Sequence, residues 1–374
     1  MSEHRLITTL MKPFFRKGKE LSFQLPGALG ENGRILCIDV GDLSELVFHA
    51  PLLKAIRKNH PAVEIDFLLP EKHQALLAPS GLAKECLVYK ARQLNPWRPS
   101  FGKLLKDLGS GRYNMTILMS RQPHPRLELA ALASGGALRM GPSHAECWPA
   151  INFEIRPPRQ QDGYYGDRLL SAGPFLSLPA RDMNTRWPLP MDQVRQMAQQ
   201  VHFHKPNPDQ MLVGLEVGPS KEGHVLPLDD LHLLVRHLAA NFVCRVLPLG
   251  PQADPDRIQQ FETKLADSPL GLPRRTLLDH VLLLSQCDLF ISGNSDFFHL
   301  AVSLGLPTVG IFPPDVEVGW VPHGRKRVCV MRLEEDGQWD PEVFLAAVES
   351  VTDGRGAKAA RVIKPTDDND PDHG

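Results

Sequence analysis

One segment in the second half of the chain indicates which fold this sequence forms. It reads Asp288-Leu-Phe-Ile-Ser-Gly-Asn-Ser-Asp-Phe-Phe-His-Leu-Ala-Val-Ser-Leu-Gly-Leu-Pro-Thr-Val-Gly-Ile-Phe312. The apolar runs Leu289–Ser292 and Thr308–Phe312 are typical of buried parallel strands, and Phe298–Leu304 between them has the pattern of a short helix. This succession predicts a strand–helix–strand unit with both strands parallel in one sheet.

The same alternation of apolar strands and helices continues on both sides of this segment. The helix predicted at Leu46–Lys58 is kinked or restarts at Pro51, because proline lacks the amide hydrogen that a helix interior uses. Alternation of this kind predicts an α/β fold of two doubly wound, Rossmann-like domains facing a central cleft. The further predicted strands are Arg34–Val40, Val63–Leu69, Met115–Met119, Leu138–Gly141, Ile151–Ile155, Leu212–Val217 and Cys244–Leu249.

Chain length and a proline-rich stretch indicate where the domains divide. The 374 residues suit two domains at about 100–200 residues each. Prolines on both sides of a predicted helix mark Trp187–Asp209 as the connection. We expect a leader (1–33), an N-terminal domain (34–187), a linker (188–210), a C-terminal domain (211–338), a C-terminal helix (339–357) and a disordered tail (358–374).

Composition and charge exclude several classes of protein. The 42 Lys and Arg residues balance 43 Asp and Glu residues to a net charge of -1, so there is no global electrostatic reason to bind nucleic acid. No apolar run approaches the ~20 residues that span a bilayer. The six cysteines are scattered and none forms a Cys-x-x-Cys pair, which suits a reducing compartment. We therefore expect a cytoplasmic protein that binds no nucleic acid.

Residues 1–33 form a basic amphipathic leader. Its five basic residues interleave with leucine, isoleucine, methionine and phenylalanine. Such a segment can lie on an anionic membrane surface, which predicts peripheral membrane contact. The alternative, weighted equally, is a short helix or arm that packs on the domain behind it.

Three motifs follow one another in a fixed order along the chain. They are Ile38-Asp-Val-Gly-Asp-Leu-Ser-Glu-Leu-Val-Phe-His-Ala-Pro51, then Leu215-Glu-Val-Gly-Pro-Ser220 with Leu226-Pro-Leu228, and finally the segment 288–312. Together they resemble glycosyltransferase family 9, the ADP-heptose:lipopolysaccharide heptosyltransferases. The resemblance extends from Arg34 to Val351 and therefore covers nearly the whole predicted folded chain.

This resemblance implies a GT-B fold and a division of labour between its two domains. The N-terminal domain would hold a saccharide or lipid-linked acceptor of the lipopolysaccharide type at the inner membrane surface. The C-terminal domain would hold a nucleotide-sugar donor similar to ADP-heptose. The implied transfer is inverting and independent of metal, with no cofactor.

The resemblance also implies which residues form the site. A carboxylate at the first strand–helix turn would be the base, with Glu45 as first choice and Asp42 as its rival. A helix N-terminus near the donor would supply positive potential for the leaving diphosphate. The donor-binding residues would be Ser220, Lys221, His224, Asn294, Ser295 and His299.

Several motif positions differ from the pattern that the family shows. Ser44 and Asp296 replace glycines, and a carboxylate at position 296 would repel a phosphate. Pro313 replaces another glycine, and Asp39 stands where the family has arginine. These changes favour an alternative function, a catalytically degenerate GT-B scaffold that acts as a binding or interaction protein.

Ordinary structural roles also explain some of these residues. Ser44 could be a helix N-cap, with Glu45 as a first-turn acid that complements the helix dipole. His299 could be a helix-start histidine satisfied by the backbone. The spacing Asp254-Pro-Asp256 is that of metal-dependent sugar transferases, but an N-cap followed by proline explains it better. We therefore predict no metal site.

Overall fold

A computed structural model describes residues 33–357 except 146, 157–162, 184–185, 205–206, 208, 220–225, 251–254, 266–269, 273 and 275. The predicted leader, apart from Gly33, and the predicted tail at 358–374 lie outside the described residues.

Six parallel strands form the first sheet, in the order β3-β2-β1-β4-β5-β6. Its central strands are apolar runs buried on both faces, as parallel strands covered by helices should be. The order reverses between β1 and β4, so the carboxyl ends of these two strands flank a crevice. The strands are β1 (Arg34–Asp39), β2 (Glu64–Pro70), β3 (Glu85–Tyr89), β4 (Met115–Met119), β5 (Leu138–Pro142) and β6 (Phe153–Ile155).

Five parallel strands form the second sheet, in the order β11-β10-β9-β7-β8. Here the order reverses between β7 and β9, which creates a second crevice at their carboxyl ends. The strands are β7 (Met211–Glu216), β8 (Cys244–Leu249), β9 (Leu289–Ser292), β10 (Thr308–Phe312) and β11 (Val328–Arg332).

Ten α-helices connect and cover the strands within the described residues. They are α1 (Leu43–Asn59), α2 (Glu71–Leu77), α3 (Pro99–Ser110), α4 (Pro125–Ala133), α5 (Met191–His204), α6 (Leu228–Asn241), α7 (Pro255–Thr263), α8 (Leu277–Leu284), α9 (Asp296–Leu304) and α10 (Pro341–Thr352). A 3-10 segment at Tyr165–Ala172 packs on α1.

Helices of the two halves pack directly against each other. Helix α1 contacts α9, and α2 contacts α8. A further apolar cluster at this junction includes Phe48 and Tyr164 from the first half with Phe298, Phe312 and Trp320 from the second. These contacts bring the carboxyl ends of the two sheets close to one shared boundary.

The predicted α/β class is confirmed, while several element boundaries differ from the predictions. Helix α1 begins at Leu43, before the predicted start, and continues through Pro51 without a break because its turns on both sides are buried. The sequence pattern did not predict strands β3 and β11. Both lie at sheet edges and are only partly buried, so their apolar signal is weaker.

Candidate active site

The loop after β1 carries the two residues predicted as alternative bases. Gly41 has a φ of +91°, a left-handed conformation that favours glycine and lets the chain turn from β1 into α1. Asp42 is the N-cap of α1, and its Oδ1 accepts a hydrogen bond from the Ser44 amide over 2.9 Å. The interpretation of Ser44 as the N-cap is therefore wrong, because Asp42 occupies that position.

Glu45 is a buried, doubly paired carboxylate. Its Oε1 lies 2.5 Å from Arg121 Nε and its Oε2 lies 2.5 Å from Arg168 Nη2. Only 3% of the Glu45 side chain is exposed, and the same holds for Arg168. Burial acts to raise the pKa of Glu45, but the positive charges of Arg168 and Arg121 outweigh burial and hold that pKa below its ordinary value.

Arg121 links this carboxylate to the second half of the chain. It follows β4 at the first switch point, and its guanidinium lies 3.9 Å from the ring centroid of Trp320 and 4.5 Å from that of Tyr165. Arginine over an aromatic face is stabilised by the ring quadrupole, more strongly where water is excluded. Glu45 and Arg121 thus belong to the packed junction between the two halves.

Two hydrogen bonds cross this junction, one from Ser44 and one at His299. Ser44 Oγ donates to Asp296 Oδ1 over 2.7 Å, so Asp296 faces the first half of the chain. His299 Nδ1 lies 2.9 Å from Tyr164 Oη, and its Nε2 lies 3.1 Å from Asn294 Oδ1. His299 is only 1% exposed, and both of its ring nitrogens have partners. Its two ring nitrogens contact side chains rather than the backbone partner suggested as the ordinary role.

The start of α9 is tied to the end of β7 by a buried hydrogen-bond cluster. Ser295 is the N-cap of α9 and accepts from the Phe298 amide over 3.0 Å. The hydroxyls of Ser292 and Ser295 both donate to Oε2 of Glu216, the last residue of β7. Burial raises the pKa of Glu216 to about 7, since nearby Asp296 adds to its effect and the two hydroxyls only partly oppose it.

A cavity of about 560 Å³ opens at the carboxyl ends of β7, β9 and β10. Glu216 and Gly293 line it at the β7–β9 switch point, where open α/β sheets bind ligands. Apolar residues including Leu231 and Trp339 form much of the remaining wall. The volume falls within the range of small-molecule pockets.

A second cavity, of about 480 Å³, lies at the carboxyl ends of the first sheet. Gly41 and Tyr89 line it, together with the basic side chains of Lys72, His124 and Arg126. No acidic residue is among the described residues of its wall. The cavity therefore suits a polar or anionic ligand.

Five of the eight predicted site residues are described: Asp42 and Glu45 lie at the start of α1, and Asn294, Ser295 and His299 lie around the start of α9. The other three, Ser220, Lys221 and His224, lie outside the described residues. The sequence analysis did not predict Arg121, Arg168 or Glu216 as site residues. Glu216 lies in a quoted motif, but nothing in its spacing marked it; Arg168 lies in a 3-10 segment without a strand or helix pattern.

Two other kinds of site are absent from the described residues. No group of three or more His, Cys, Asp or Glu side chains in the described ranges is arranged to hold a metal ion. None of the helices in this part of the chain combines the length and apolar character needed to cross a bilayer.

Comparison with known families confirms the predicted resemblance. Residues 182–340 match the model of glycosyltransferase family 9 (heptosyltransferase). This segment includes the second and third motifs as well as the cavity at the β7–β9 switch point. No curated protein matches the chain in sequence.

Solved structures share the fold at low sequence identity. A family 9 glycosyltransferase from Veillonella parvula has 16% identity and a TM-score of 0.70, covering 86% of this chain and 97% of its own. ADP-heptose lipopolysaccharide heptosyltransferase II from E. coli has 16% identity and a TM-score of 0.64, covering 85% and 98%. The E. coli heptosyltransferase WaaC with ADP-2-deoxy-2-fluoro heptose has 13% identity and a TM-score of 0.64, covering 84% and 99%. The GT-B architecture is therefore confirmed.

Proposed function

We propose that this chain, whose residues 182–340 match the model of glycosyltransferase family 9, moves a sugar from a nucleotide-diphosphate donor to a saccharide acceptor. The transfer would be inverting and independent of metal. The observation that carries the proposal is the cavity at the β7–β9 switch point, inside the segment that matches the family. The proposed donor is similar to ADP-heptose, because WaaC of the same fold has been solved with an ADP-heptose analogue.

The proposed donor site combines this cavity with the start of α9. The cavity contains Gly293, two residues before the α9 N-cap Ser295. A helix N-terminus presents amide hydrogens and a positive dipole end, which favour the leaving diphosphate. Lys221 and His224 are the proposed cationic contacts from the loop after β7.

The proposed acceptor site is the second cavity, at the end of the first sheet. Its basic residues Lys72, His124 and Arg126 suit an acceptor that carries carboxylate or phosphate groups. Such groups are compatible with a lipopolysaccharide-type or lipid-linked saccharide. The proposed location of the reaction is the cytoplasmic face of the inner membrane.

Asp42 is a better placed base than Glu45. A base must accept a proton from the acceptor hydroxyl, whose oxygen then attacks the anomeric carbon as the bond to the diphosphate breaks. Glu45 has a lowered pKa, and two arginines occupy its oxygens. Asp42 is partly exposed at the start of α1. We assign the base role to Asp42 and a positioning role to Glu45.

Calorimetry with ADP- and UDP-sugars, followed by a transfer assay, tests this assignment. Asp42→Asn should leave donor affinity within about twofold and abolish transfer, because the amide cannot accept the proton. The matched control is Asp192→Asn, which removes an exposed carboxylate on α5 and should leave both quantities unchanged. Normal turnover in Asp42→Asn would exclude Asp42 as base.

A second candidate function is a non-catalytic binding protein built on the same scaffold. The observation that favours it is the bond between Ser44 and Asp296, which occupies the boundary where the reacting groups would meet. The same calorimetry separates the two candidates. Lack of any nucleotide or nucleotide-sugar binding at millimolar concentration would exclude the transferase proposal and favour the scaffold.

The proposed membrane contact of residues 1–33 has its own test. Flotation with anionic liposomes should recover the full chain and not a variant that lacks the leader, because the basic residues are attracted to anionic lipid. Equal flotation of both proteins would refute this role and favour the packed arm.

A further inference from the structure

Glu216 is placed to contact any ligand that fills the cavity of the second sheet. It is the last residue of β7, at the switch point beside β9, and it lines that cavity with Gly293. Its Oε2 accepts from the hydroxyls of Ser292 and Ser295. No described residue hydrogen-bonds to its Oε1. A proton on Oε1 leaves Oε2 free to accept from these hydroxyls, of which that of Ser292 also lies 2.8 Å from Gly293 O.

The charges around Glu216 disfavour its ionised form. No described Lys, Arg or His forms an ion pair with it, and Asp296 at the start of α9 is its charged neighbour. The other charged residues of the described cavity wall are Asp230, Asp336 and Arg257. Arg257 donates from Nε to Val217 O and from Nη2 to Leu226 O, so it is already engaged with backbone carbonyls.

Burial and the Asp296 charge place the pKa of Glu216 near 7, in the physiological range. An anionic ligand in the same cavity would raise this pKa further, since like charges disfavour ionisation. Binding of such a ligand is then coupled to the uptake of a proton above pH 7.

We propose that Glu216 contacts the donor as a neutral carboxylic acid, with its Oε1–H donating a hydrogen bond to an anionic oxygen of the diphosphate. This inference rests on the proposed function, because it assumes that a nucleotide diphosphate occupies the cavity. Solvent or buffer gives one proton to the Glu216 carboxylate, where it stays, and no covalent bond of the ligand forms or breaks. Glu216 thereby permits a diphosphate to bind beside Asp296.

The proposal predicts how donor affinity depends on pH. Below pH 7 the acid is already protonated and affinity is flat. Above pH 7 each pH unit should weaken binding by up to about tenfold, because one proton must be taken up with the ligand. Glu216→Gln keeps a hydrogen-bond donor at this position and cannot ionise. The affinity of this variant for the donor should therefore not change with pH above pH 7.

The test is calorimetry of the full chain with ADP-glucose and UDP-glucose between pH 6 and 9. The diphosphate diesters of these probes do not titrate in this range. Repeating the titration at pH 8 in buffers of different ionisation enthalpy counts the protons taken up. We expect close to one proton for the wild type and none for Glu216→Gln. The matched control is Asp230→Asn, another acid of the same wall, which should retain the wild-type proton uptake.

The outcomes separate this inference from the proposed function. Binding without proton uptake, or with equal uptake in Glu216→Gln, overturns the role of Glu216 and leaves the transferase proposal intact. Absence of binding for both probes at every pH overturns the two together. Circular dichroism and thermal unfolding of Glu216→Gln establish that the variant is folded, so a loss of binding in it alone counts against a neutral-acid contact.

Discussion

Ser44 Oγ donates a hydrogen bond of 2.7 Å to Asp296 Oδ1, joining two residues 252 positions apart in the chain. One follows the first strand of the first sheet and the other begins α9 of the second half. Both stand where the family resemblance implies glycine. The two differences from the family pattern are therefore structurally coupled, since the Ser44 hydroxyl is a hydrogen-bond partner of the Asp296 carboxylate.

The hydrogen bond between Ser44 and Asp296 should give a measurable coupling energy between substitutions at the two positions. Ser44→Ala, Asp296→Ala and the double variant form a double-mutant cycle, and a hydrogen bond to a charged group contributes about 1.5–3 kcal/mol. Unfolding by urea measures each free energy. Additive effects of the two single variants would contradict a direct stabilising bond.

Restoring both glycines should improve nucleotide binding. Ser44→Gly with Asp296→Gly removes the carboxylate beside the start of α9 and with it the repulsion of a diphosphate. We expect at least a tenfold lower Kd for ADP-glucose by calorimetry, about 1.4 kcal/mol. Ser44→Gly alone is the control and should leave Kd unchanged. An unchanged Kd in the double variant would show that Asp296 does not limit binding.

Removing the Glu45 charge should destabilise the protein strongly. Glu45→Gln leaves the guanidinium of Arg168 buried without its anion, which costs about 3–5 kcal/mol in the free energy of unfolding. The matched control is Asp192→Asn in the exposed pair with Arg195, where no measurable loss is expected. A small effect at Glu45 would mean that water reaches Arg168.

Aromatic packing between the two halves of the chain should contribute to the free energy of unfolding. Phe48 is 3% exposed, and its ring centroid lies 5.2 Å from that of His299 and 5.5 Å from that of Tyr164. Phe48→Ala should cost about 3–5 kcal/mol, because it leaves a cavity between the two halves. Phe203→Ala removes the same ring from a site that is 85% exposed and should change stability by less than about 0.5 kcal/mol. Similar losses in both variants would argue against a packed junction.

His49 should make the protein labile to acid. Burial lowers its pKa from 6.5 to about 3, with the Arg168 charge adding to the effect. The unfolded chain binds this proton below pH 6.5 and the folded chain does not, so stability falls as pH drops, by about 1.4 kcal/mol per unit from this group.

His49→Gln should remove this contribution, and chemical unfolding at pH 7 and pH 5 measures it. The stability difference between wild type and His49→Gln should shrink at pH 5. His202→Gln, at an exposed position, serves as control and should follow the wild type. Parallel pH profiles for wild type and His49→Gln would contradict a neutral buried histidine.

Continuous apolar strands made most of the fold predictable from sequence. The bounds predicted for the strands at 115–119, 244–249, 289–292 and 308–312 are those observed. Three of them, 115–119, 289–292 and 308–312, are buried along their whole length, as parallel strands covered on both faces should be. The edge strands β3 and β11 were missed because one or both faces meet solvent and the apolar run is diluted. Motif order led to a resemblance to glycosyltransferase family 9 over Arg34 to Val351, and the family model matches residues 182–340 of that range.

The sequence predicted some residues of the candidate site but not the contacts between them. The family resemblance led to Asp42, Glu45, Asn294, Ser295 and His299, and these residues follow β1 and β9 on the side of each sheet where α/β folds place ligands. The pairing of Glu45 with Arg168 joins residues 123 positions apart, and Arg168 lies on a 3-10 segment with no pattern to mark it. Neither local propensity nor spacing could have predicted that contact.

The sequence by itself determined the α/β class, the two sheets and the identity of the altered motif residues. These follow from local apolar periodicity and from residue types in order, which need no knowledge of distant contacts. Only the tertiary structure decided that Ser44 meets Asp296, that two arginines neutralise Glu45, and that Glu216 faces a cavity. Charge, pKa and hydrogen bonding depend on what lies within a few ångströms, and in this chain those neighbours are 76 to 252 positions apart in the sequence.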